Sequence, residues 1–288
     1  MSELIGKKFD VLDQGYVILR DVMGDDQSIV NAARISYQQG TRKVSEDAGL
    51  IDHLMRHRHT SPFEMPVLRF QVKLPIFVER QWVRHRTCSM NEMSGRYSEM
   101  PEEFYIPEPD AVRQQSKTNK QGREELTDEQ MTMLFRDDCG ANRGTFATYR
   151  MHLETGVARE LARINLPLGT YTEKVWQMNL HNLLHFLKLR TDSHAQWEIQ
   201  QYANVIEGIV AELFPLTYAS WKNHVKDAVT FSSDELKVLY KIMMGYGEAD
   251  EHDGLSKSRV AELRKKLERI GPDVKLADEG EGSWKKKV

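Results

Sequence analysis

The segment from Val67 to Leu74 constrains the fold more than any other part of the chain, because its side chains alternate with a period of two. One face carries Leu68, Phe70, Val72 and Leu74, and the other carries Val67, Arg69, Gln71 and Lys73. Such alternation is typical of a strand with one buried face. Pro75 follows directly and favours a short helix from Ile76 to about Val83, since proline suits the first helical turn.

Helical periodicity dominates the remaining sequence. Capping boxes at Thr127-x-x-Gln130 and Ser232-x-x-Glu235 predict two helix starts. The pattern predicts helices over residues 26–37, from just after Ser45, and over 127–153, 157–163, 172–190 and 196–213. A second strand is predicted over residues 16–22, and residues 87–97 are predicted to form an ordered loop. This mixture favours an α+β fold with a small, mostly antiparallel sheet and several long helices.

The character of the sequence changes near residue 230. We expect a catalytic domain over residues 1–230 and a helical extension of unknown role over residues 231–288. The extension contains a polar linker from Gly247 to Gly254 and a last amphipathic helix. The side chains expected to face inward from that helix are Val260, Leu263, Leu267 and Ile270.

The composition excludes several functional classes. The chain has 288 residues, 40% of them hydrophobic, so it can build a core and is not a disordered chain. Its net charge of -3 argues against a basic surface for nucleic acid. It contains no apolar run long enough for a membrane span and no apolar stretch of a secretory signal at its start. The two cysteines make no disulfide framework, and we expect a cytoplasmic protein.

The segment from Arg84 to Ser98 contains most of the residues that are candidates for ligand binding. Three arginines and a histidine lie within 13 residues, in Arg84-His85-Arg86 and Ser94-Gly95-Arg96. Guanidinium groups match phosphate oxygens in pairs of hydrogen bonds, and a glycine lets the backbone approach a ligand. The segment therefore favours an anionic nucleotide, whereas the alternative from composition alone is a solvated basic loop balanced by Glu92 and Glu99.

The same segment resembles the R-H-R-x-x-S-x-N-E-x-S-x-R motif of flavin-dependent thymidylate synthases, with every specified position filled. Further similar blocks are His59-Thr60-Ser61-Pro62-Phe63-Glu64, Pro75–Trp82, Phe104–Pro107, Ala162–Pro167 and Leu189–Ile199. The resemblance spans about residues 15–225, and residues 230–288 lie outside it. Glycine-rich phosphate loops, Walker motifs, H-E-x-x-H, G-x-S-x-G and C-x-x-C are all absent.

The resemblance implies both the fold of that family and its activity, the methylation of dUMP to dTMP. It implies 5,10-methylenetetrahydrofolate as the carbon donor, and FAD reduced by NADPH as the source of the hydride. It also implies a homotetramer with shared active sites, and no membrane or nucleic-acid partner.

The resemblance further implies the roles of individual residues. Arg190 corresponds to the arginine that favours ionisation at N3 of the uracil, because a fixed guanidinium stabilises the anion. The residues implied in binding the flavin are Ser61, Glu64, Arg84, His85, Arg86, Asn91, Glu92, Asn179, His181, His185 and His194. The residues implied in binding the nucleotide are Gln81, Arg84, Glu92, Ser94, Gly95, Arg96, Arg163 and Arg190. Arg96 and Arg163 are the expected phosphate ligands.

Several residues have competing interpretations. Cys88 could be a nucleophile, although it occupies a variable position of the motif. Ser94 could attack C6 of the uracil, but no general base is evident and a hydrogen-bonding role is favoured. A metal ion could be bound by several candidate ligands, namely His53, His57, His59 and His85 with Asp192 and His194.

The chain departs from the family pattern at three positions, Met65, His181 and His185, and the last two are expected to alter flavin contacts without removing them. Two other functional classes remain open from the residues alone. A metal-dependent nucleotide hydrolase would bind metal tightly and be colourless. A nucleic-acid-binding protein would show salt-sensitive binding.

Overall fold

The computed structural model describes residues 3–35, 47–107, 113–115, 123–125, 127–244 and 255–270. The contacts divide the chain into two units, residues 1–226 and residues 227–288. Ser45, Gly245 and the linker at 247–254 lie outside the described residues, as does the end of the predicted first helix.

A five-stranded antiparallel sheet forms the centre of the first unit. Its strands, in spatial order, are β1 (Lys8–Val11), β2 (Gly15–Met23), β3 (Val67–Pro75), β7 (Tyr171–Asn179) and β4 (Ser89–Glu92). A separate hairpin consists of β5 (Arg113–Gln115) and β6 (Arg123–Glu125). The sheet and its covering helices confirm the predicted α+β fold.

Ten α-helices occur in the described residues. They are α1 (Asp26–Arg34), α2 (Asp47–Arg56), α3 (Ile76–Trp82), α4 (Asp128–Glu154), α5 (Arg159–Ala162), α6 (Leu180–Arg190), α7 (Trp197–Leu213), α8 (Pro215–Trp221), α9 (Ser233–Met243) and α10 (Lys257–Ile270). The capping boxes predicted at Thr127 and Ser232 are both present, and each satisfies backbone N–H groups of the first turn. Short 3₁₀ turns follow α2 and α5, at Ser61–Glu64 and Arg163–Asn165.

Three sequence predictions are wrong over part of their length, namely those for residues 172–190, 87–97 and 157–163. Residues 172–179 belong to strand β7, and only residues 180–190 of the predicted helix are helical. The buried face of β7 carries Thr172, Lys174, Trp176 and Met178, so two polar residues concealed its alternation. The predicted loop at 87–97 contains β4, whose four residues are exposed and which is a strand because it pairs with the edge of β7. The predicted helix at 157–163 is reduced to the single turn of α5.

An aromatic core beneath the sheet fixes the elements that carry the motif. The Trp82 ring of α3 lies 5.1 Å from the Trp176 ring of β7 and 4.8 Å from the Phe186 ring of α6. All three side chains are fully buried. Because aromatic rings bury large apolar areas, this contact holds the C-terminal end of α3 against both β7 and α6.

The second unit has a small core of its own, formed by Val238, Leu255, Leu263 and Leu267. The prediction for Ile270 is wrong, since its side chain is 59% exposed at the end of α10. Within the described residues of either unit, no helix is long and apolar enough to cross a membrane.

Candidate active site

The motif begins at the C-terminal end of α3 and runs into the edge strand β4. The backbone N–H of His85 donates to the Trp82 carbonyl at 3.0 Å, so the helical turn continues to the histidine. His85 is consequently buried, at 8% exposure, whereas Arg84 and Arg86 on either side are exposed. The alternation directs one imidazole inward and two guanidinium groups outward.

Arg190, the last residue of α6, meets this turn. Its Nε–H donates to Nε2 of His85 at 2.9 Å, and its Nη2 donates to the Gln81 carbonyl at 3.2 Å. The Gln81 side chain donates to the Gln196 amide oxygen at the start of α7. The structure thus brings together Arg190, His85 and Gln81, three of the residues that the resemblance implied.

Electrostatics at this point favour a neutral imidazole and a charged guanidinium. Burial, with the positive charges of Arg190, His185 and Lys174, lowers the pKa of His85 to about 4. Burial also lowers the pKa of Arg190, but arginine remains protonated in proteins. The site therefore presents a fixed, half-buried positive charge.

Glu92 and Asn91 lie on β4 at the edge of the sheet. The Thr172 hydroxyl on β7 donates to the Glu92 carboxylate at 2.7 Å, which fixes the orientation of that side chain. Asn91 pairs with Val175 in the ladder and therefore faces the opposite side of the sheet from Glu92.

A buried ion pair between Lys174 of β7 and Glu79 of α3 lies close to these residues and was not anticipated from sequence. The exposure of the two side chains is 0% and 5%, and the Lys174 Nζ lies 4.1 Å from the centroid of the Trp82 ring. Burial lowers the pKa of Lys174 to about 8 and raises the pKa of Glu79. No local pattern could have revealed this pair, because its members are 95 residues apart.

Ser94, Gly95, Arg96 and Arg163 form a second group after β4. A Cβ at Gly95 would lie 2.9 Å from Nη1 of Arg163, so only glycine leaves room for this guanidinium. Arg96 pairs with Glu160 at 2.9 Å on the open surface, and Ser94 accepts from the Arg96 backbone N–H at 3.3 Å.

The remaining residues implied in flavin binding lie at the start of α6, just after its end, and on the 3₁₀ turn packed against it. Asn179 caps α6 by accepting from the Asn182 backbone N–H at 2.9 Å, so it has a structural role. His194 is exposed, and its Nδ1 lies 2.8 Å from an Asp192 carboxylate oxygen. Ser61 and Glu64 are exposed on the 3₁₀ turn that precedes β3.

A cavity of about 120 Å³ opens between α6 and the segment around the 3₁₀ turn. Its apolar wall includes Leu54, Phe63, Leu184 and Trp221, and its polar lining includes Arg58, His59, Thr60, His181, His185 and Lys188. An apolar wall with cationic and N–H donors suits a ligand that combines a flat aromatic ring with phosphate groups. The chemistry of this lining therefore suits one part of a flavin nucleotide, since about 120 Å³ is smaller than the roughly 300–1,000 Å³ of a pocket that encloses a whole cofactor.

The predicted residues consequently fall into separate groups. The Arg190 group and the Arg163 group are joined by no hydrogen bond or ion pair in the part of the chain that the structure describes. Within the same residues, no cluster of three or more histidine, cysteine, aspartate or glutamate side chains is placed to hold a metal ion.

The chain is similar to known proteins both in sequence and in structure. Residues 18–216 match the family model described as thymidylate synthase complementing protein. A flavin-dependent thymidylate synthase of Thermus thermophilus is 53% identical over 269 residues, covering 92% of this chain and 97% of that protein. The corresponding protein of Ehrlichia ruminantium strain Gardel is 48% identical, covering 91% of this chain and 89% of its own length.

A solved structure of the UMP/dUMP methylase PolB from Streptomyces cacaoi, bound with 5-Br dUMP, is similar to this chain with a TM-score of 0.69 and 34% identity. That similarity covers 76% of this chain and 99% of PolB. The Thermus match cannot be confined to residues 1–230, because it covers 92% of the chain. It therefore includes part of the C-terminal residues that the motifs left outside the resemblance. The chain belongs to the family of flavin-dependent thymidylate synthases.

Proposed function

We propose that this protein methylates dUMP to dTMP, with 5,10-methylenetetrahydrofolate as the carbon donor and FAD, reduced by NADPH, as the cofactor. The observation that carries the proposal is the half-buried Arg190 guanidinium, held by His85 and Gln81 at the start of the family motif. Support for the substrate comes from relatives named thymidylate synthase and from a UMP/dUMP methylase neighbour.

Arg190 is the proposed catalytic residue. The positive charge of its guanidinium stabilises the anion formed when uracil loses its N3 proton to solvent, and the electron-rich ring then attacks the methylene group of the folate. When bound, the flavin supplies the hydride that converts the transferred methylene to a methyl group. The work of the chain is to orient the ring and to hold positive charge beside it.

The nucleotide phosphate is assigned to Arg96 and Arg163. Nη1 of Arg163 lies against the buried Gly95, and Arg96 follows Gly95 in the chain with its side chain exposed. The contact between Arg96 and Glu160 is exposed, so a phosphate can replace the carboxylate at small cost. Ser94 and Gln81 supply polar groups for the sugar and the base.

The flavin is assigned to Arg84, Arg86, Asn91 and Glu92 on the motif side of the site. The other flavin contacts are proposed for Ser61, Glu64, Asn179, His181, His185 and His194, with His85 also implied by the resemblance. The cavity lined by His181 and His185 supports the assignment of those two residues, since it combines an apolar wall with cationic groups.

We further propose a cytoplasmic homotetramer in which two subunits complete each active site. One observation in favour of this arrangement is that, in the described residues, no hydrogen bond or ion pair joins the Arg190 group to the Arg163 group. Another is the surface around Arg163, where Leu161, Ile164 and Leu168 are 58%, 70% and 65% exposed. Exposed apolar clusters of this kind often mark protein interfaces.

The first experiment is the visible spectrum of the purified protein, before and after addition of FAD, followed by titration with dUMP. Flavin absorption bands that shift on addition of dUMP would place both ligands in one site. Formation of dTMP from methylenetetrahydrofolate and NADPH would then establish the reaction. A protein that cannot be loaded with FAD would overturn the assignment.

Shared sites have their own test, in which Arg190→Ala, which lacks the catalytic charge, and Arg163→Ala, assayed at a dUMP concentration far below its raised KM, are mixed and allowed to exchange subunits. If each site combines residues from two chains, mixed tetramers contain some sites with both arginines intact and activity returns. Activity that stays absent, with subunit exchange shown by mass, would contradict shared sites. A tagged Arg190→Ala protein mixed with an untagged copy of itself is the matched control.

A further inference from the structure

Arg190 differs from the paired arginines of this chain in the groups that hold it. Arg34, Arg69, Arg96, Arg150, Arg159 and Arg259 each pair with a carboxylate. Arg190 has no carboxylate within ion-pair distance in the described part of the chain, and its acceptors are the His85 imidazole and the Gln81 carbonyl. The two acceptors therefore orient the guanidinium of Arg190 without neutralising its positive charge.

The geometry fixes the chemical state of His85. A guanidinium can only donate hydrogen bonds, so Nε2 of His85 must be the unprotonated nitrogen and the proton of the neutral ring lies on Nδ1. A protonated imidazole could not accept from Arg190 and would repel it. Burial at 8% exposure and the nearby positive charges of Arg190, His185 and Lys174 maintain the neutral form.

We propose that His85 is a positioning residue for Arg190: as a neutral acceptor it aims the guanidinium at the pyrimidine while leaving the positive charge available to the substrate. The inference rests on the proposed function, because it assumes that Arg190 faces the uracil. It differs from the role that the resemblance implied, in which His85 contacts the flavin.

The physical reason is the difference between orienting a charge and neutralising it. A carboxylate at this position would bind Arg190 more tightly, but its negative charge would oppose the stabilisation of a uracil anion. Water would orient the guanidinium poorly. A buried imidazole whose ring packs edge-on against Phe186, with centroids 4.9 Å apart, provides a rigid acceptor of zero charge.

Four variants of His85 separate orientation, charge and flavin binding. In His85→Gln the amide oxygen can occupy the position of Nε2, whereas in His85→Asn the shorter side chain reaches only the position of Nδ1. His85→Glu keeps an acceptor but adds a negative charge. His85→Leu removes the acceptor. For each, kcat/KM for dUMP is measured against pH, FAD affinity is measured by titration, and thermal melting reports folding.

We expect His85→Gln to retain kcat/KM within about tenfold, and His85→Leu and His85→Asn to lose about 100-fold while FAD affinity changes by less than about threefold. His85→Glu should also lose about 100-fold, with the acidic limb of its pH profile displaced to higher pH, because the added negative charge raises the pKa at which N3 of the uracil loses its proton. Rescue by Gln but not by Asn is a result that a merely structural histidine would not give.

Equal activity of the four variants would overturn the inference, as would parallel loss of FAD affinity and activity, which would return His85 to flavin binding. If one of the other variants does not fold, the apparent pKa of N3 in bound dUMP is measured in His85→Gln. This pKa must match the value in the parent protein. Failure of the proposed function is distinguishable, because the parent protein would then form no dTMP.

Discussion

The two arginine groups of the site are built differently. Arg190 is half-buried, is fixed by two neutral acceptors, and belongs to the same packed region as the buried pair of Glu79 and Lys174. Arg96 is 61% exposed and pairs with Glu160 in the open. We call these the buried region and the open region.

The difference shows which guanidinium group the folded chain orients before any ligand binds. A charge that must act on a developing anion works best when its orientation is already set, because no reorganisation is then needed during the reaction. A charge that only captures a phosphate can remain solvated until the ligand arrives, since exposed ion pairs contribute little to stability. The buried region therefore suits chemistry, and the open region suits binding.

The largest expected effect is that of Arg190→Ala. Removal of the fixed charge should lower kcat for methylation about 10³-fold or more while FAD remains bound, because Arg190 acts on the nucleotide. Arg96→Ala should instead raise the KM for dUMP about tenfold to 100-fold, with a smaller effect on kcat. Steady-state kinetics and a flavin titration check both variants.

Arg190→Lys is the matched control, since it keeps the charge but not the two directed hydrogen bonds. An Arg190→Ala protein that loses FAD and activity to the same degree would show that Arg190 holds the flavin. Equal effects of Arg190→Ala and Arg96→Ala on kcat would remove the distinction between the two regions.

The next effect concerns stability, in the ion pair of the buried region. Lys174→Met or Glu79→Leu alone should lower the free energy of unfolding by about 3–5 kcal/mol, because each leaves an uncompensated buried charge. The double replacement Glu79→Leu with Lys174→Met should recover most of that loss. Urea denaturation of the four proteins forms a double-mutant cycle. Additive losses would show that the two side chains do not interact in the folded state.

Acid should destabilise the protein through His85. In the unfolded chain this histidine binds a proton below its ordinary pKa of 6.5, whereas burial lowers the pKa in the folded protein to about 4. Stability is therefore full above about pH 6.5 and falls by up to about 3 kcal/mol as the pH drops toward 4. The measurement is the free energy of unfolding against pH, with His85→Gln as the control whose profile should be flatter. Identical profiles would contradict a buried, neutral His85.

Local sequence patterns predicted most elements of the fold but missed those defined by their partners. The alternation of β3 and the capping box of α4 are properties of a few consecutive residues. Strand β4 has four exposed residues and no pattern of its own, and β7 carries Lys174 on its buried face. Whether such a segment forms a strand depends on pairing with a neighbouring strand. The residues of the segment itself do not show which distant part of the chain that neighbour is.

The site shows the same division. The motif residues are contiguous and could be identified from the sequence alone, as could the family. The contact between Arg190 and His85 joins residues 105 positions apart, and the pair of Glu79 and Lys174 joins residues 95 positions apart. Folding alone brings such residues together, so the orientation of Arg190 and the neutral state of His85 could not be predicted.

A smaller effect is expected from Gly95→Ala in the open region. The new Cβ would lie 2.9 Å from Nη1 of Arg163 and from Sδ of Met100, so the flexible arginine must move. We expect the KM for dUMP to rise about tenfold with a stability change below about 1 kcal/mol. Gly208→Ala is the matched control, because its Cβ meets no atom within 4 Å. A loss of stability with an unchanged KM would place Arg163 outside the nucleotide site.

The smallest effect is expected from Cys88→Ala, in the segment that joins the two regions. The Cys88 thiol donates a weak hydrogen bond to the His85 carbonyl at 3.2 Å and packs partly against the core. Its loss should change stability by less than about 1 kcal/mol and kcat by less than about threefold, because neither region depends on the thiol. Activity and urea denaturation of Cys88→Ala are measured beside Cys88→Ser, which retains a hydroxyl donor. If Cys88→Ala were inactive yet folded and bound FAD, the thiol would be a nucleophile, and the chemistry would no longer belong to Arg190 alone.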